Sequence, residues 1–285
     1  YFMNNYFDNF YDWWKNIDKY IFSLVFILFF LGLFFSLAST SLIASDKLDT
    51  NSYYFFIKHF IFIILAITIL MIFSFLKEEL LIKLSIILFC ISFITLVLVP
   101  FIGIEVKGSK RWIDFAFLPR FQPIEIIKPF FIVILSTLLC LKKNNLYFKY
   151  FLSSLILLPI LLLLISQPDL GQTLLIAMIW LALIFVSGIN IYLFFIFFII
   201  VTLTASYLIF FVPKFEYIKI RFLSFMNSSE TGNYQAEKAS DAIISGGFFG
   251  KGIGEGTLNS KIPEAHTDYI VSVVSEEFGV IIVVL

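Results

Sequence analysis

Charged side chains are scarce in this sequence. Asp, Glu, Lys and Arg make up 14% of its 285 residues, against about a quarter in an average soluble domain. The 20 basic and 20 acidic residues cancel to a formal net charge of zero, so there is no basic excess to attract nucleic acid. Because 60% of the residues are hydrophobic, the chain is not disordered either. The composition therefore excludes an ordinary soluble domain, a disordered chain and a nucleic-acid-binding protein.

Cysteine is also rare. The two cysteines, Cys90 and Cys140, lie far apart inside apolar runs, with no CxxC motif and no neighbouring histidine. Cysteines in such surroundings behave as small buried hydrophobic residues. We expect no redox or metal role for either of them.

Long apolar runs are what the sequence has instead. A helix of about 20 apolar residues crosses a bilayer, and seven such runs follow one another, with an eighth opening near residue 268. The seven cover 21–44, 54–76, 80–103, 124–141, 148–166, 170–188 and 191–212. They are continuous rather than alternating, which disfavours a β-barrel. The predicted fold is an all-α polytopic membrane protein, with seven complete transmembrane helices and the start of an eighth.

The segments outside these runs suggest a topology. Residues 1–19 are polar and aromatic, as expected for an interfacial segment with Trp13 and Trp14 at headgroup level. The short segments that share a side with the N-terminus carry seven lysines, against five Lys or Arg on the other side, which favours a cytoplasmic N-terminus. Residues 213–267 form the one long polar segment. The chain stops inside an apolar run, so we expect further spans beyond residue 285.

Charges in or beside the apolar runs are the first candidates for function, since each costs about 2.5–3.5 kcal/mol at the centre of a bilayer. Glu125 and Lys128 stand three residues apart in PIEIIKP and can form a structural ion pair or point together into a cavity. Asp169 in SQPDLG lies between two apolar runs, which predicts a helix N-terminus with Asp169 as its N-cap. The residues alone leave structural and functional roles open at both places.

Basic residues also crowd into 104–121, a short loop on the predicted outer side. Lys110 and Arg111 stand next to Trp112, an aromatic residue suited to the membrane interface. Lys and Arg are usually in excess in cytoplasmic loops, not in outer ones. A basic cluster on the outer side therefore suggests an anionic ligand. A phosphate or pyrophosphate lipid headgroup would suit it.

A third polar group opens the eighth run. Glu264, His266 and Asp268 fall within five residues, where they could perform acid–base chemistry or bind a divalent cation such as Mg²⁺ or Mn²⁺. Glu276 and Glu277 follow over two helical turns further along, and one of them must face protein or water. The preceding stretch GGFFGKGIGEGT lacks the context of a nucleotide-binding loop. We interpret it as a mobile loop beside the membrane.

Five blocks of the sequence, in order, resemble the signature motifs of the SEDS family (shape, elongation, division and sporulation), which comprises RodA, FtsW and SpoVE. They are GSKRWIDF, FQPIEIIKP, SQPDLGQTLL, RFLSFMNSSETGNYQAEKASDAIISGGFFGKGIGEGT and IPEAHTDYIVSVVSEEFG. The resemblance runs from the first apolar run to the last residue. The YFFIKHF and GNYQ blocks, and the short linker from GEGT into PEAHTD, are more similar to the division branch, FtsW, than to RodA.

The resemblance implies a peptidoglycan glycosyltransferase that polymerises lipid II, an undecaprenyl-pyrophosphate-linked disaccharide-peptide. Such proteins have ten spans in one integral membrane domain, which would cover 1–285 here, with a cytoplasmic N-terminus at 1–19 and a large extracytoplasmic loop at 213–267. They lie in the bacterial cytoplasmic (inner) membrane with the active site on the outer side. Division members work at the septum with a class B penicillin-binding transpeptidase, FtsI, and other divisome proteins.

The matching motifs also imply site residues. The family's essential aspartate corresponds to Asp268, which would act as general base. Lys110, Arg111 or Lys128, or a divalent cation held by carboxylates, would stabilise the leaving pyrophosphate; no cofactor is otherwise implied. Glu125 and Asp169 would position Lys128. The residues expected to bind substrate are Lys110, Arg111, Trp112, Gln122, Glu125, Lys128, Gln167, Asp169, Glu264 and His266. Ile124 departs from the family, which usually has Ser there.

Two other functions fit the residues. A lipid II flippase would also need charges within spans, and a non-catalytic division scaffold could recruit a transpeptidase. A flippase, however, needs charges through both leaflets, whereas the charges here gather towards one side, at 104–121, Glu125, Asp169 and Asp268. This asymmetry favours the glycosyltransferase.

Overall fold

The structure is a computed structural model that describes residues 11–48, 53–106, 109–115, 118–141, 145–216, 218–220, 234–258, 262 and 269–284. It divides into two compact units. The first unit contains Tyr1–Phe75 and Ser224–Leu285, and the second contains Leu76–Leu223. Whether the chain functions as a single membrane domain stays a prediction.

Seven apolar helices follow the seven predicted spans. They are α1 Lys19–Leu48, α2 Tyr54–Ser74, α3 Glu78–Ile102, α4 Pro123–Cys140, α5 Leu146–Ser166, α6 Leu170–Val186 and α7 Ile191–Phe211. Within the described residues, six of them are long and apolar enough to cross a membrane. The exception, α6, has 17 residues, or about 25 Å at 1.5 Å per residue. The predicted fold class, a polytopic helical membrane protein, is confirmed.

Three shorter helices lie in the first unit. They are α8 Tyr234–Gly246, α9 Ile270–Phe278 and α10 Val280–Val284. The start of α9 agrees with the predicted opening of an eighth run near residue 268. It stops before Gly279, whose φ of 85° lies in the left-handed region that glycine tolerates.

Polar residues between the apolar runs set where the helices begin. The side chains of Asp18, Asn145, Asp169 and Asn190 each accept a hydrogen bond from a backbone N–H in the first turn of α1, α5, α6 and α7. Such caps satisfy donors that have no partner within the helix. Such caps matter most in a membrane, because lipid tails cannot accept hydrogen bonds from these N–H groups.

Between α3 and α4 the chain forms a small antiparallel sheet that the sequence analysis did not predict. Its strands are β1 Ile104–Val106, β2 Ser109–Phe115 and β3 Leu118–Phe121, in the order β1-β2-β3. Side chains alternate along β2. Ile113 is buried and Arg111 half-buried, whereas Lys110, Trp112 and Asp114 are exposed. The strand therefore separates the basic residues that stand together in the sequence.

The core of the second unit lies between α3, α4, α5, α6 and α7. On α4, Ile124, Ile127, Phe131 and Leu135 are almost fully buried. Their spacing of three or four residues places them on one helix face. Ile124 is 1% exposed, so the apolar core accommodates the residue that departs from the family pattern.

In the first unit, α1 packs against α2, and the segment before α1 packs on the end of α2. The Nε1 of Trp13 donates to Ser74 Oγ at 2.7 Å, and its ring stacks on Phe75 with centroids 4.6 Å apart. Trp13 is buried at 9% exposure, whereas Trp14 is 38% exposed. Of the two tryptophans predicted at headgroup level, Trp13 is therefore buried in contact with the end of α2.

The glycine-rich stretch runs close along α9. A Cβ on Gly246 would collide with the backbone oxygen of Ser275, and one on Gly250, where φ is 78°, would collide with that of Glu277. These glycines allow two backbones to approach within a distance that a side chain would forbid. The interpretation of this stretch as a mobile loop is therefore wrong, because its backbone is hydrogen-bonded to a helix.

Candidate functional site

The start of α6 places a buried carboxylate in the second unit. Asp169 is 5% exposed, and its Oδ1 accepts from the N–H of Gln172 at 3.4 Å, as an N-cap does. Its carbonyl oxygen accepts from the N–H and the hydroxyl of Thr173, at 3.0 and 2.7 Å. The predicted helix N-terminus at this residue is confirmed.

The same carboxylate contacts β2 and the residue before α4. Gln122 Nε2 donates to Asp169 Oδ2 at 2.8 Å, and Arg111 Nη1 lies 3.7 Å from Asp169 Oδ1. Arg111 Nη2 also donates to the carbonyl of Pro168 at 2.6 Å. Its Nε is buried without a hydrogen-bond partner in the described part of the chain. Asp169, which we expected to position Lys128, instead holds Arg111 and Gln122.

Next to this group, three side chains form a closed triangle. Lys128 Nζ lies 2.6 Å from Glu125 Oε2 and donates to Gln172 Oε1 at 3.2 Å, while Gln172 Nε2 donates to Glu125 Oε1 at 2.7 Å. The Lys128 side chain is 17% exposed and that of Glu125 is 49% exposed. The ion pair suggested by the i,i+3 spacing is therefore present, and Gln172 holds it from α6.

Gln172 was not among the predicted site residues. Its side chain belongs to the triangle, and its backbone N–H donates to Asp169, so one residue joins both groups. A signal was available, because Asp169 and Gln172 have the D-x-x-Q spacing of a capping box. The Gln172 side chain, however, turns to α4 instead of returning to the cap.

Gln167 has a contact of a different kind. It is 5% exposed, and its Nε2 donates to the carbonyl of Leu96 in α3 at 3.2 Å. In a regular helix that carbonyl would accept from residue 100, which is a proline without an N–H. Gln167 therefore satisfies an oxygen left free by Pro100, and this amide donor is occupied within the protein.

The remaining predicted residues lie elsewhere. Lys110 and Trp112 are exposed on the other face of β2 from Arg111. Asp268, Glu264 and His266 fall outside the described residues. The structure thus brings together Arg111, Gln122, Glu125, Lys128 and Asp169, with Gln172 added, in what we call the α4–α6 network.

A metal site was left open by the sequence. Within the described residues, no group of three or more His, Cys, Asp or Glu side chains is placed to hold a metal ion. The α4–α6 network has two carboxylates, and both already pair with cationic side chains. The suggested Mg²⁺ or Mn²⁺ site at Glu264, His266 and Asp268 stays a prediction.

Comparison with curated proteins finds relatives over nearly the whole chain. The probable peptidoglycan glycosyltransferase FtsW of Coxiella burnetii is 33% identical, over 93% of this chain and 72% of its own length. The protein of the same name from Caulobacter vibrioides is 28% identical, over 94% and 68%. That from Buchnera aphidicola of Acyrthosiphon pisum is 36% identical, over 93% and 67%.

Two solved structures have a similar fold. One is a chain of a peptidoglycan synthase complex in which polymerization and crosslinking are structurally coordinated, with a TM-score of 0.69 and 24% identity over 94% of this chain and 73% of that one. The other is a mutant of the rod shape determining protein RodA from Thermus thermophilus, with a TM-score of 0.61 and 21% identity over 94% and 70%. A profile of the FtsW, RodA and SpoVE proteins, described as cell cycle proteins, matches residues 18–285. The chain therefore belongs to the FtsW/RodA/SpoVE family of cell cycle proteins.

Proposed function

We propose that the protein is a peptidoglycan glycosyltransferase of the division type, which polymerises lipid II into glycan strands. The observation that carries the proposal is the α4–α6 network, in which two cations are each held by a carboxylate, Arg111 by Asp169 and Lys128 by Glu125. The curated relatives named for this activity match the chain over more than nine-tenths of its length, which supports the same conclusion.

The proposed reaction joins two lipid-linked units. The oxygen of the acceptor's GlcNAc 4-hydroxyl bonds to the anomeric carbon of the donor's sugar, while the bond from that carbon to the pyrophosphate oxygen breaks. The electron pair leaves with undecaprenyl pyrophosphate, and the hydroxyl proton passes to a base. We assign that role to Asp268, because a positioned carboxylate can accept the proton as the new bond forms.

Negative charge gathers on the pyrophosphate as it leaves, and fixed cations stabilise charge that develops in the transition state. Lys128 and Arg111 would serve here, since each is already oriented by a carboxylate and little reorganisation is needed. The Nε of Arg111, which has no hydrogen-bond partner among the described residues, would gain an acceptor from a pyrophosphate oxygen. Lys110 and Trp112, exposed on the other face of β2, would contact the lipid headgroup region.

The six candidate spans and the family identify a multi-pass membrane protein. We further propose that it lies in the bacterial cytoplasmic membrane at the division septum, with the active site on the outer side. A class B penicillin-binding transpeptidase of the FtsI type would be its partner, together with other divisome proteins. The similar chain in a peptidoglycan synthase complex supports a transpeptidase partner.

The test uses the full protein, purified with its transpeptidase and given lipid II in detergent. We expect glycan strands from the wild type and a loss of about 10²- to 10⁴-fold with Asp268→Ala, the usual contribution of a general base. Asp114→Asn, in an exposed ion pair with Arg120, is the matched control and should keep its activity.

Other outcomes discriminate between the candidate functions. Equal polymer from wild type and Asp268→Ala would contradict the role of Asp268. No polymer from the wild type, together with transfer of lipid II across vesicles, would favour the flippase. Neither activity, with normal recruitment of the transpeptidase, would favour the scaffold.

A further inference from the structure

Two adjacent phenylalanines lie exposed at the turn of the glycine-rich stretch, in the first unit. Phe248 is 73% exposed and Phe249 is 85% exposed. Neighbouring apolar side chains of this size form a surface that water solvates poorly, and such a surface usually marks a contact with a membrane or with another protein. The surroundings of the turn distinguish between these two.

The backbone beside the phenylalanines is bonded to the start of α10. The N–H of Val280 donates to the carbonyl of Gly247 at 3.0 Å, and that of Ile281 donates to the carbonyl of Phe248 at 3.5 Å. A Cβ on Gly279, between α9 and α10, would collide with the carbonyl oxygen of Phe248. The turn is therefore fixed closely against the junction of the two helices.

The last residue of α9 shows how deep in the membrane this junction lies. The ring centroid of Phe278 is 5.7 Å from that of Phe34 and 5.5 Å from that of Phe35, both on α1. Helix α1 contains a candidate membrane span, and Phe34 lies 13 residues from one end of the apolar run 21–44 and 10 residues from the other, or about 20 and 15 Å. Since the hydrocarbon core of a bilayer is about 30 Å thick, this contact places Phe278 within it, and the turn beside Phe278 as well.

The turn has the features that non-helical backbone requires at this depth. Its polar groups must bond within the protein, because lipid tails offer no hydrogen bonds. The N–H of Gly250 donates to the carbonyl of Gly246 at 2.9 Å, and that of Lys251 donates to the carbonyl of Glu276 at 2.9 Å. The Lys251 ammonium lies 3.0 Å from a carboxylate oxygen of Glu276, so the charge beside the turn is paired, as charges within a membrane usually are.

We propose that Phe248 and Phe249 form a lipid-contacting surface, at which the glycine-rich stretch enters the bilayer and packs against the acyl chains. The exposed apolar surface continues onto α10, where Ile281 and Ile282 are 41% and 45% exposed, so the same lipid covers both. Residues 247–250 are then a re-entrant turn, and not a part of the predicted outer loop 213–267 that lies in water. The proposal concerns the membrane alone and does not depend on the proposed enzymatic activity.

The test places a fluorophore on the turn and identifies what surrounds it. In the full protein, the exposed cysteines Cys90 and Cys140 are replaced by alanine, Phe249→Cys is labelled with bimane, and the protein is reconstituted in phosphatidylcholine vesicles without a transpeptidase. Two quenchers are compared, bromine atoms on the lipid acyl chains and iodide on both sides of the membrane. Leu28→Cys, at a position 66% exposed on α1, is the control for lipid, and Asp114→Cys, from an exposed ion pair, is the control for water.

We expect brominated lipid to quench the label at Phe249 to the same extent as the label at Leu28. Iodide should quench it at least about tenfold less than the label at Asp114, because an ion is excluded from hydrocarbon. If Phe249→Cys cannot be recovered folded, Phe248→Cys provides the same comparison.

Two results would overturn the proposal. The first is quenching by iodide to the extent seen at Asp114, which would place the phenylalanines in water; if an added transpeptidase then removed that quenching, they would be a docking surface for a protein. The second is shielding from both quenchers, because another part of the chain or a second copy would then cover the two side chains.

Discussion

Asp169 is the residue at which the α4–α6 network is most sensitive to a small change. Asp169→Asn keeps the size and shape of the side chain, and asparagine is about as good an N-cap as aspartate. The cap to Gln172 can therefore persist, while the charge that pairs with Arg111 is lost. Gln122 can turn its amide to offer an oxygen to the new NH₂ group, so the substitution isolates the effect of the charge.

The magnitude follows from burial and distance. Removing one partner of a fully buried ion pair costs about 3–5 kcal/mol. The Arg111 side chain, however, is 27% exposed, and its Nη1 lies 3.7 Å from the carboxylate oxygen, so we expect about 1–2 kcal/mol for Asp169→Asn after this discount. Asp169→Ala also removes the cap and leaves Gln122 unsatisfied, which raises the expected loss to about 3–5 kcal/mol.

The assay is thermal unfolding in detergent, with Asp114→Asn as the control. That substitution removes the same charge from an exposed pair with Arg120, where about 0–1 kcal/mol is expected. The midpoints should fall in the order wild type and Asp114→Asn, then Asp169→Asn, then Asp169→Ala. Equal midpoints for Asp114→Asn and Asp169→Asn would show that the buried charge of Asp169 stabilises the protein no more than an exposed one.

Two further predictions concern packing. Gly246→Ala should lower stability by about 3 kcal/mol or more, the upper end for overpacking, because its Cβ meets the backbone oxygen of Ser275, which cannot move aside as a side chain can. Gly188→Ala, at φ 85° with nothing within 4 Å, should cost only the backbone strain of about 1–2 kcal/mol. A loss for Gly246→Ala no larger than that for Gly188→Ala in thermal unfolding would contradict the contact. Trp180→Phe removes a bond from Nε1 to Ser153 Oγ of 3.1 Å and should cost about 0.5–1.5 kcal/mol. A double-mutant cycle with Ser153→Ala checks this prediction, since additive losses would show that the two residues do not interact.

The helices could be predicted from the sequence because their boundaries are marked twice. An apolar run ends where polar residues begin, and a capping residue often stands at that point, as Asn190 does before α7. The predicted span at 191–212 and the observed helix Ile191–Phe211 therefore agree closely. In contrast, the strands of three to seven residues between α3 and α4 carry too few residues for a periodic signal.

The site could be predicted in part, for a physical reason. Glu125 and Lys128 are neighbours on one helix face, so their pairing follows from local spacing. The pairing of Asp169 with Arg111 does not follow from local spacing, because Arg111 is 58 residues away and faces Asp169 only through the alternation of side chains along β2. The same holds for Gln172 and for Glu276, whose partners are defined by the packing of distant segments.

If the proposed function is correct, this protein forms glycosidic bonds with release of undecaprenyl pyrophosphate. The most direct measurement is the amount of undecaprenyl pyrophosphate released per bond formed, when the full protein and its transpeptidase receive lipid II and a β-lactam blocks crosslinking. We expect one undecaprenyl pyrophosphate per new bond from the wild type and from Asp114→Asn, and almost none from Asp268→Ala. Glycan strands without matching release, or the same release from Asp268→Ala as from the wild type, would contradict it.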